Sequence, residues 1–199
     1  MKSSLVAFFA LASLAVSAPV AEKKAPEPHP TTVTFFIANV ECGECLESIT
    51  GSLKKVRSFT GLTGLTPHSG YANISFDSHA NSYHEIASAI AAAAPAHGKA
   101  YVPTIKLKIP AYAAGDNAAN VDKVFAKQSA NVKVQATDRA KGDFVVNFLP
   151  LKLDPAKNAP QGFNGGAFGH PIHDAPPKGL GLDFAIVREG AAKPAAKGK

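Results

Sequence analysis

Between Thr32 and Ile109 the apolar residues recur first at alternate positions, then at helical spacing, and then run through that change again. Such an order of periods leaves few folds open. Thr32–Ala38 (TVTFFIA) is dense in β-branched and aromatic residues and reads as a strand. From Gly43 to Arg57, Leu46, Ile49, Leu53 and Val56 fall on one face of a helix. Gly61, Gly64 and Pro67 punctuate a loop or short strand. In Tyr71–Phe76, Ala72, Ile74 and Phe76 alternate with Tyr71, Asn73 and Ser75. Ser82 and Glu85 then have the spacing of a capping box, whose side chains satisfy free amides of a first helical turn. Tyr83, Ile86, Ala87, Ile90 and Ala94 form the apolar face of that second helix, and Pro95 and Gly98 end it. Ala100–Ile109 is extended.

The order β-α-β-β-α-β predicts an α+β domain of the ferredoxin-like, split-βαβ type over residues 32–101, its two helices covering one face of an antiparallel sheet. A degenerate βαββ-β copy is expected over residues 102–189. Ile105, Leu107 and Ile109 alternate with Lys106 and Lys108 as a strand. Asp116 or Asn117 can cap a helix running to about Ser129, with Val121, Val124 and Phe125 inward. Val132–Thr137 and Asp143–Leu149 read as a hairpin turning at Ala140–Gly142. A long Pro/Gly loop, Asp154–Gly179, stands where a second helix would be, and Leu180–Val187 reads as the closing strand. Successive extended segments of this kind also suit one larger sheet.

At the N-terminus, Lys2 precedes an unbroken run of apolar and small residues from Leu5 to Val16. That is the layout of a secretory signal peptide, taken as residues 1–18, with cleavage between Ala15 and Ala21. The alternative of a buried N-terminal helix lacks a polar face. The run is too short to span a bilayer, which takes about 20 residues. The expectation is an exported, periplasmic or secreted, soluble protein with no stable membrane insertion once the signal is removed. Residues 19–31, which include the Pro- and charge-rich stretch Glu22–Pro30, read as a linker, and residues 190–199 as a disordered tail. The formal charge is +6, with several lysines in that tail. No basic stripe is interleaved with aromatics, so no nucleic-acid partner is expected.

Only two cysteines occur, in Cys42-Gly-Glu-Cys45, which excludes a disulfide-stapled scaffold. They fall where a strand ends and a helix begins. A helix N-terminus favours negative charge and so favours thiolate. Thiolates are soft ligands for zinc-group ions and copper(I). A weaker metal candidate is His170-Pro-Ile-His173-Asp174, two imidazoles and a carboxylate in the late loop. Gly162–Gly169 lacks the Lys-Ser/Thr of a phosphate loop. No Ser-His-Asp signature or carboxylate pair suggests hydrolysis, and no enzyme activity is expected.

Thr32–Tyr101 resembles a heavy-metal-associated domain, the module of copper chaperones, metal-exporting ATPases and the periplasmic mercury-binding protein. The resemblance is carried by VTFFIANV, ECGEC, LESITGSLKKV, ANISFD and SYHEIASAIAAA. It implies one soft ion (zinc, cadmium, mercury or copper(I)) held by Cys42 and Cys45 for transport or sequestration. It also implies that the partner is a metal transporter or another metal-binding protein. Asn39 and Val40 stand where the family usually has Gly-Met. Glu41, directly before Cys42, resembles zinc-type exporters and is an accessory ligand candidate beside a solvated-surface role. The family's loop after the second helix lies by the metal, which makes His97 a second accessory candidate. In the second copy Ala113 and Asp116 occupy the cysteine places. Two alternatives stay open. Cys-Gly-x-Cys with Val102-Pro103-Thr104 mimics a thioredoxin-like oxidoreductase, although the chain has no tryptophan. A structural local disulfide on a non-catalytic interaction domain is the other.

Overall fold

The computed structural model describes residues 27–154 and 156–190. The signal-peptide expectation, residues 19–26 of the linker and residues 191–199 of the tail lie outside the described residues. Within them the chain is α+β: β1 (Pro30–Ala38), α1 (Gly43–Leu53), β2 (Phe59–Thr63), β3 (Tyr71–Asp77), α2 (Tyr83–Ala91), β4 (Val102–Lys108), α3 (Asn117–Ala126), β5 (Val132–Asp138), β6 (Asp143–Phe148), α4 (Gly166–His173) and β7 (Ala185–Ile186). The seven strands form one sheet in the order β2-β3-β1-β4-β6-β5, with β7 on β4. Every pairing is antiparallel.

Alternation along the strands separates two faces. Val33, Phe35 and Ile37 of β1, Ala72, Ile74 and Phe76 of β3, and Ile105 and Leu107 of β4 are almost wholly buried. They meet Ile49 and Leu53 of α1 and Ile86 and Ile90 of α2 in one core. The period-two pattern thus makes the sheet and the helical pattern covers it. Small hydroxyls dock the helices: Ser52 Oγ donates to Ala89 O at 2.5 Å and Ser48 Oγ to Ala94 O at 2.6 Å. The capping box of α2 forms in full, Ser82 accepting from Glu85 N and Glu85 accepting from Ser82 N.

Strand β4 has neighbours along both edges. Its first residues, Val102–Thr104, pair with Ala38–Phe36 of β1, while Thr104–Lys108 pair with β6. Leu107 and Lys108 also pair with β7, which therefore continues the edge that β1 leaves. Beyond β7 the chain crosses to β1 and β3: Glu189 N donates to Thr34 Oγ1, and Asn73 Nδ2 donates to Glu189 O.

Several boundaries differ from the sequence expectation. Strand β1 starts at Pro30 instead of Thr32, because Pro30 pairs opposite Asp77 and His29 N donates to the Asp77 carboxylate. Helix α1 ends at Leu53 in place of Arg57, with Val56 carried on the following turn. Helix α3 ends at Ala126, and its N-cap Asp116 makes no side-chain cap bond. The segment 154–179 is not helix-free. Phe168 and Ile172, four residues apart and fully buried, hold α4 against the core, with Phe168 at 4.9 Å from Phe125 and 4.7 Å from Phe163, centroid to centroid. Of the expected closing strand, Ala185 and Ile186 pair.

His84 on α2 ties the later chain to the earlier. It is 1% exposed, and its Nε2–H donates to Leu149 O at 2.6 Å while Nδ1 accepts from Phe163 N at 3.3 Å. A carbonyl can only accept and an amide can only donate, so the partners fix a neutral ring in one tautomer. His84→Ala strands both partners and leaves a hole, which should cost about 3 kcal/mol in urea denaturation. Gly162→Ala should also destabilise, since φ is +76° there and the new Cβ would lie 2.5 Å from His84 Nδ1.

Candidate metal centre

The centre is built at the turn from β1 into α1. Asn39 has φ of +70°, a left-handed conformation that asparagine tolerates better than most residues. Its Nδ2 donates to Ala100 O at 2.7 Å, which fastens the turn to the segment leading into β4. Asn39 therefore meets the backbone demand at a place where the resembling family has glycine. Val40, 7% exposed, fills the adjoining core position.

Cys42 is the N-cap of α1, in extended conformation, and Cys45 lies in the first turn. The two sulfurs are free thiols 3.0 Å apart, and Cys42 Sγ accepts from Cys45 N at 3.3 Å. Cys45 is buried and Cys42 half-buried. The His97 ring is exposed on the loop after α2. One ligand atom from each of Cys42, Cys45 and His97 lies within 4.8 Å of the other two. Among the described residues this is the one group of three such ligands so close together.

The pair shares one proton asymmetrically. The Cys45 thiol is pushed down to about 7, first by the hydrogen bond from Cys42, then by the backbone at Glu41 and by the Tyr101 hydroxyl. Cys42 is pushed up, first by its hydrogen bond to Cys45 and then by burial. Cys45 therefore ionises around neutral pH, ahead of Cys42. Tyr101 is the residue the sequence reading missed. It is 2% exposed, its hydroxyl accepts from Ala96 N at 3.4 Å, and it contributes to the lowering of Cys45. A lone tyrosine at the head of an extended segment gave no sign of this role, because the contact spans the whole sequence of elements between α1 and β4.

The remaining candidates fall elsewhere. Glu41 is exposed, and its carboxylate does not join the three close ligand atoms. His170 and His173 lie on α4, the helix that the sequence reading took for loop. His170 Nδ1 sits 3.6 Å from Asp174, and His173 Nδ1 donates to Leu182 O at 3.3 Å. They form no group of three close ligands. Ala113 and Asp116 are exposed. Pro103 is buried in β4 opposite Ile37. A thioredoxin-type motif belongs beside a βαβ unit, whose strands are parallel; the pairings here are antiparallel.

No model of a known protein family matches the sequence, and neither does any curated protein. Among solved structures, the chain is similar to the water-soluble region of the P-type ATPase CopA from Bacillus subtilis, at 13% identity and a TM-score of 0.34 over 61% of this chain and 77% of that one. It is also similar to the N-terminal soluble domains of Bacillus subtilis CopA, at 14% identity and a TM-score of 0.33 over 83% of this chain and 99% of that one. At such TM-scores neither likeness decides fold or function.

Ultraviolet thiolate absorbance of the reduced protein should rise in two steps, one near pH 7 and one above the ordinary thiol range. Tyr101→Phe removes a hydrogen bond to the thiolate and should move the first step upward. Metal binding needs both thiols deprotonated. Log affinity should therefore fall by about two per pH unit below the first step and by about one between the steps.

Proposed function

We propose that this protein carries a soft metal ion on Cys42 and Cys45, with His97 as a third ligand, and that it does so after export. The observation that carries this reading is the convergence of two thiols and an imidazole within 4.8 Å at the start of a helix. That donor set suits zinc-group ions, which take mixed sulfur and nitrogen ligands, and copper(I), which is content with two or three soft donors.

The arrangement favours exchange over permanent storage. Cys45 is buried and already inclined to thiolate, so it anchors the ion. Cys42 is half-buried and His97 exposed, so an incoming thiolate from a transporter or another metal-binding protein can displace them stepwise. Such a hand-over needs no catalyst beyond the ligands. The export reading rests on the signal-like residues 1–18.

The fold reading that accompanies this function treats residues 32–101, closed by the strand β4 that follows them, as a ferredoxin-like unit of the heavy-metal-associated kind. Its support is the element order β1-α1-β2-β3-α2-β4 with sheet order β2-β3-β1-β4. Residues 102–189 then form a degenerate second unit that begins on the same β4. Helix α4 and strand β7 stand in its last two places, and Ala113 and Asp116 stand where cysteines would be.

Metal titration of the reduced protein under native mass spectrometry tests the proposal. One zinc, cadmium or mercury ion should bind per chain, and Cys42→Ser with Cys45→Ser should abolish it without unfolding the protein. His97→Ala should weaken zinc by about tenfold, the loss of one ordinary ligand, yet leave mercury(II) nearly unchanged because two sulfurs satisfy it. Glu41→Ala should change zinc affinity much less than His97→Ala does. Unaltered zinc binding by the double serine variant would reject the site.

A further inference from the structure

A second cluster of ligand-type side chains lies at the opposite end of β1 from the cysteines. His29 immediately precedes β1, and His79 follows β3. Their rings are stacked, with centroids 5.0 Å apart and planes at 28°. Both side chains are exposed, yet the backbone beneath them is fixed. Asp77 Oδ1 accepts from His29 N and from His79 N, each at 2.9 Å. Ser78 N donates to His29 O at 3.0 Å.

Each ring is engaged through its Nδ1. His79 Nδ1 lies 3.3 Å from Glu27 O, and a carbonyl can only accept, so Nδ1 bears the hydrogen. His29 Nδ1 lies 3.0 Å from Ser78 Oγ and 3.4 Å from Thr31 Oγ1. Either hydroxyl oxygen can accept from it, and that tautomer leaves Nε2 for a metal ion. With Nδ1 of each ring engaged in this way, Nε2 is the nitrogen left for an ion, with no hydrogen bond to it among the described residues. A metal-binding histidine usually has this arrangement, the far nitrogen donating to a carbonyl, hydroxyl or water and so orienting the near one. The Asp77 carboxyl is held below its usual range, first by the backbone bonds from His29 and His79, and keeps a negative charge beneath the pair.

We propose that His29 and His79 form a second metal site, for a borderline divalent ion such as nickel(II), copper(II) or zinc, with water completing its coordination. Imidazole nitrogen suits these ions, whereas a site without sulfur discriminates against copper(I). Nine residues of β1 separate this site from the thiols, on the order of 25 Å of extended strand. The two sites therefore differ in donor chemistry and do not share an ion. Binding staples the segment before β1 to the turn after β3, so the ion also secures the start of the sheet.

The test uses untagged protein carrying Cys42→Ser and Cys45→Ser, titrated with nickel(II) at neutral pH by calorimetry. One nickel should bind per chain, and its paramagnetism should broaden the ring-proton signals of His29 and His79 first. His29→Ala and His79→Ala should each weaken binding by at least about tenfold. Both positions are exposed, and circular dichroism will verify that the variants fold. A His170→Ala, His173→Ala protein should bind as before. Unchanged affinity in the His29 and His79 variants, or loss of binding in the His170/His173 variant, would overturn the assignment.

Discussion

Strand β4 is bonded on both edges, and that double engagement organises the rest of the chain. Its first residues hold β1, its remaining length holds β6, and its end holds β7. Pro103, Ile105 and Leu107 turn inward from it into the common core. The residues just before it serve the metal centre: Ala100 O receives the Asn39 side chain, and Tyr101 reaches the Cys45 sulfur. A displacement of β4 would therefore disturb the packing of both halves and the thiol environment together. His84 reinforces the same junction from the helix side by bonding Leu149 and Phe163.

The centre has two unlike sulfurs because its two cysteines occupy unlike places. Cys42 caps the helix and stays half-open to solvent, while Cys45 lies one turn in, against the core. Hydrogen bonds from Cys42, the backbone and Tyr101 all favour charge on Cys45. Taking a charge out of water is costly unless hydrogen bonds compensate it, and here they do. The result is one sulfur that ionises around neutral pH, one that keeps its proton longer, and an exposed imidazole close to both.

Much of this was legible in the sequence where the physics is local. The strands β1 and β3 followed from alternation, helix α2 from Ser82, Glu85 and its terminating Pro95 and Gly98, and the cysteine pair from its position between a strand and a helix. What depended on distant partners was not legible. Helix α4 was hidden because Gly165, Gly166, Gly169 and Pro171 all argue against a helix, and only burial of Phe168 and Ile172 against Phe125 and Phe163 offsets them. Pairing of Pro30 depended on Asp77, which lies 47 positions further along the chain. Tyr101 looked like one strand residue among several. His84 looked like a polar residue on a helix until Leu149 and Phe163 came to meet it. Glu41 was attractive by adjacency to Cys42, but a helix start turns neighbouring side chains in different directions, and the exposed carboxylate stays apart from the sulfurs.

The proposed function rests on one local arrangement, in which the thiols of Cys42 and Cys45 and the ring of His97 hold the same ion within a single chain. X-ray absorption spectroscopy of the reduced, zinc-loaded protein at one equivalent tests it most directly. The prediction is a first shell with two sulfurs at about 2.3 Å and the remainder nitrogen or oxygen at about 2.0–2.1 Å, including the outer-shell scattering of one imidazole. A shell of nitrogen and oxygen alone, or one of four sulfurs shared between two chains, would contradict it.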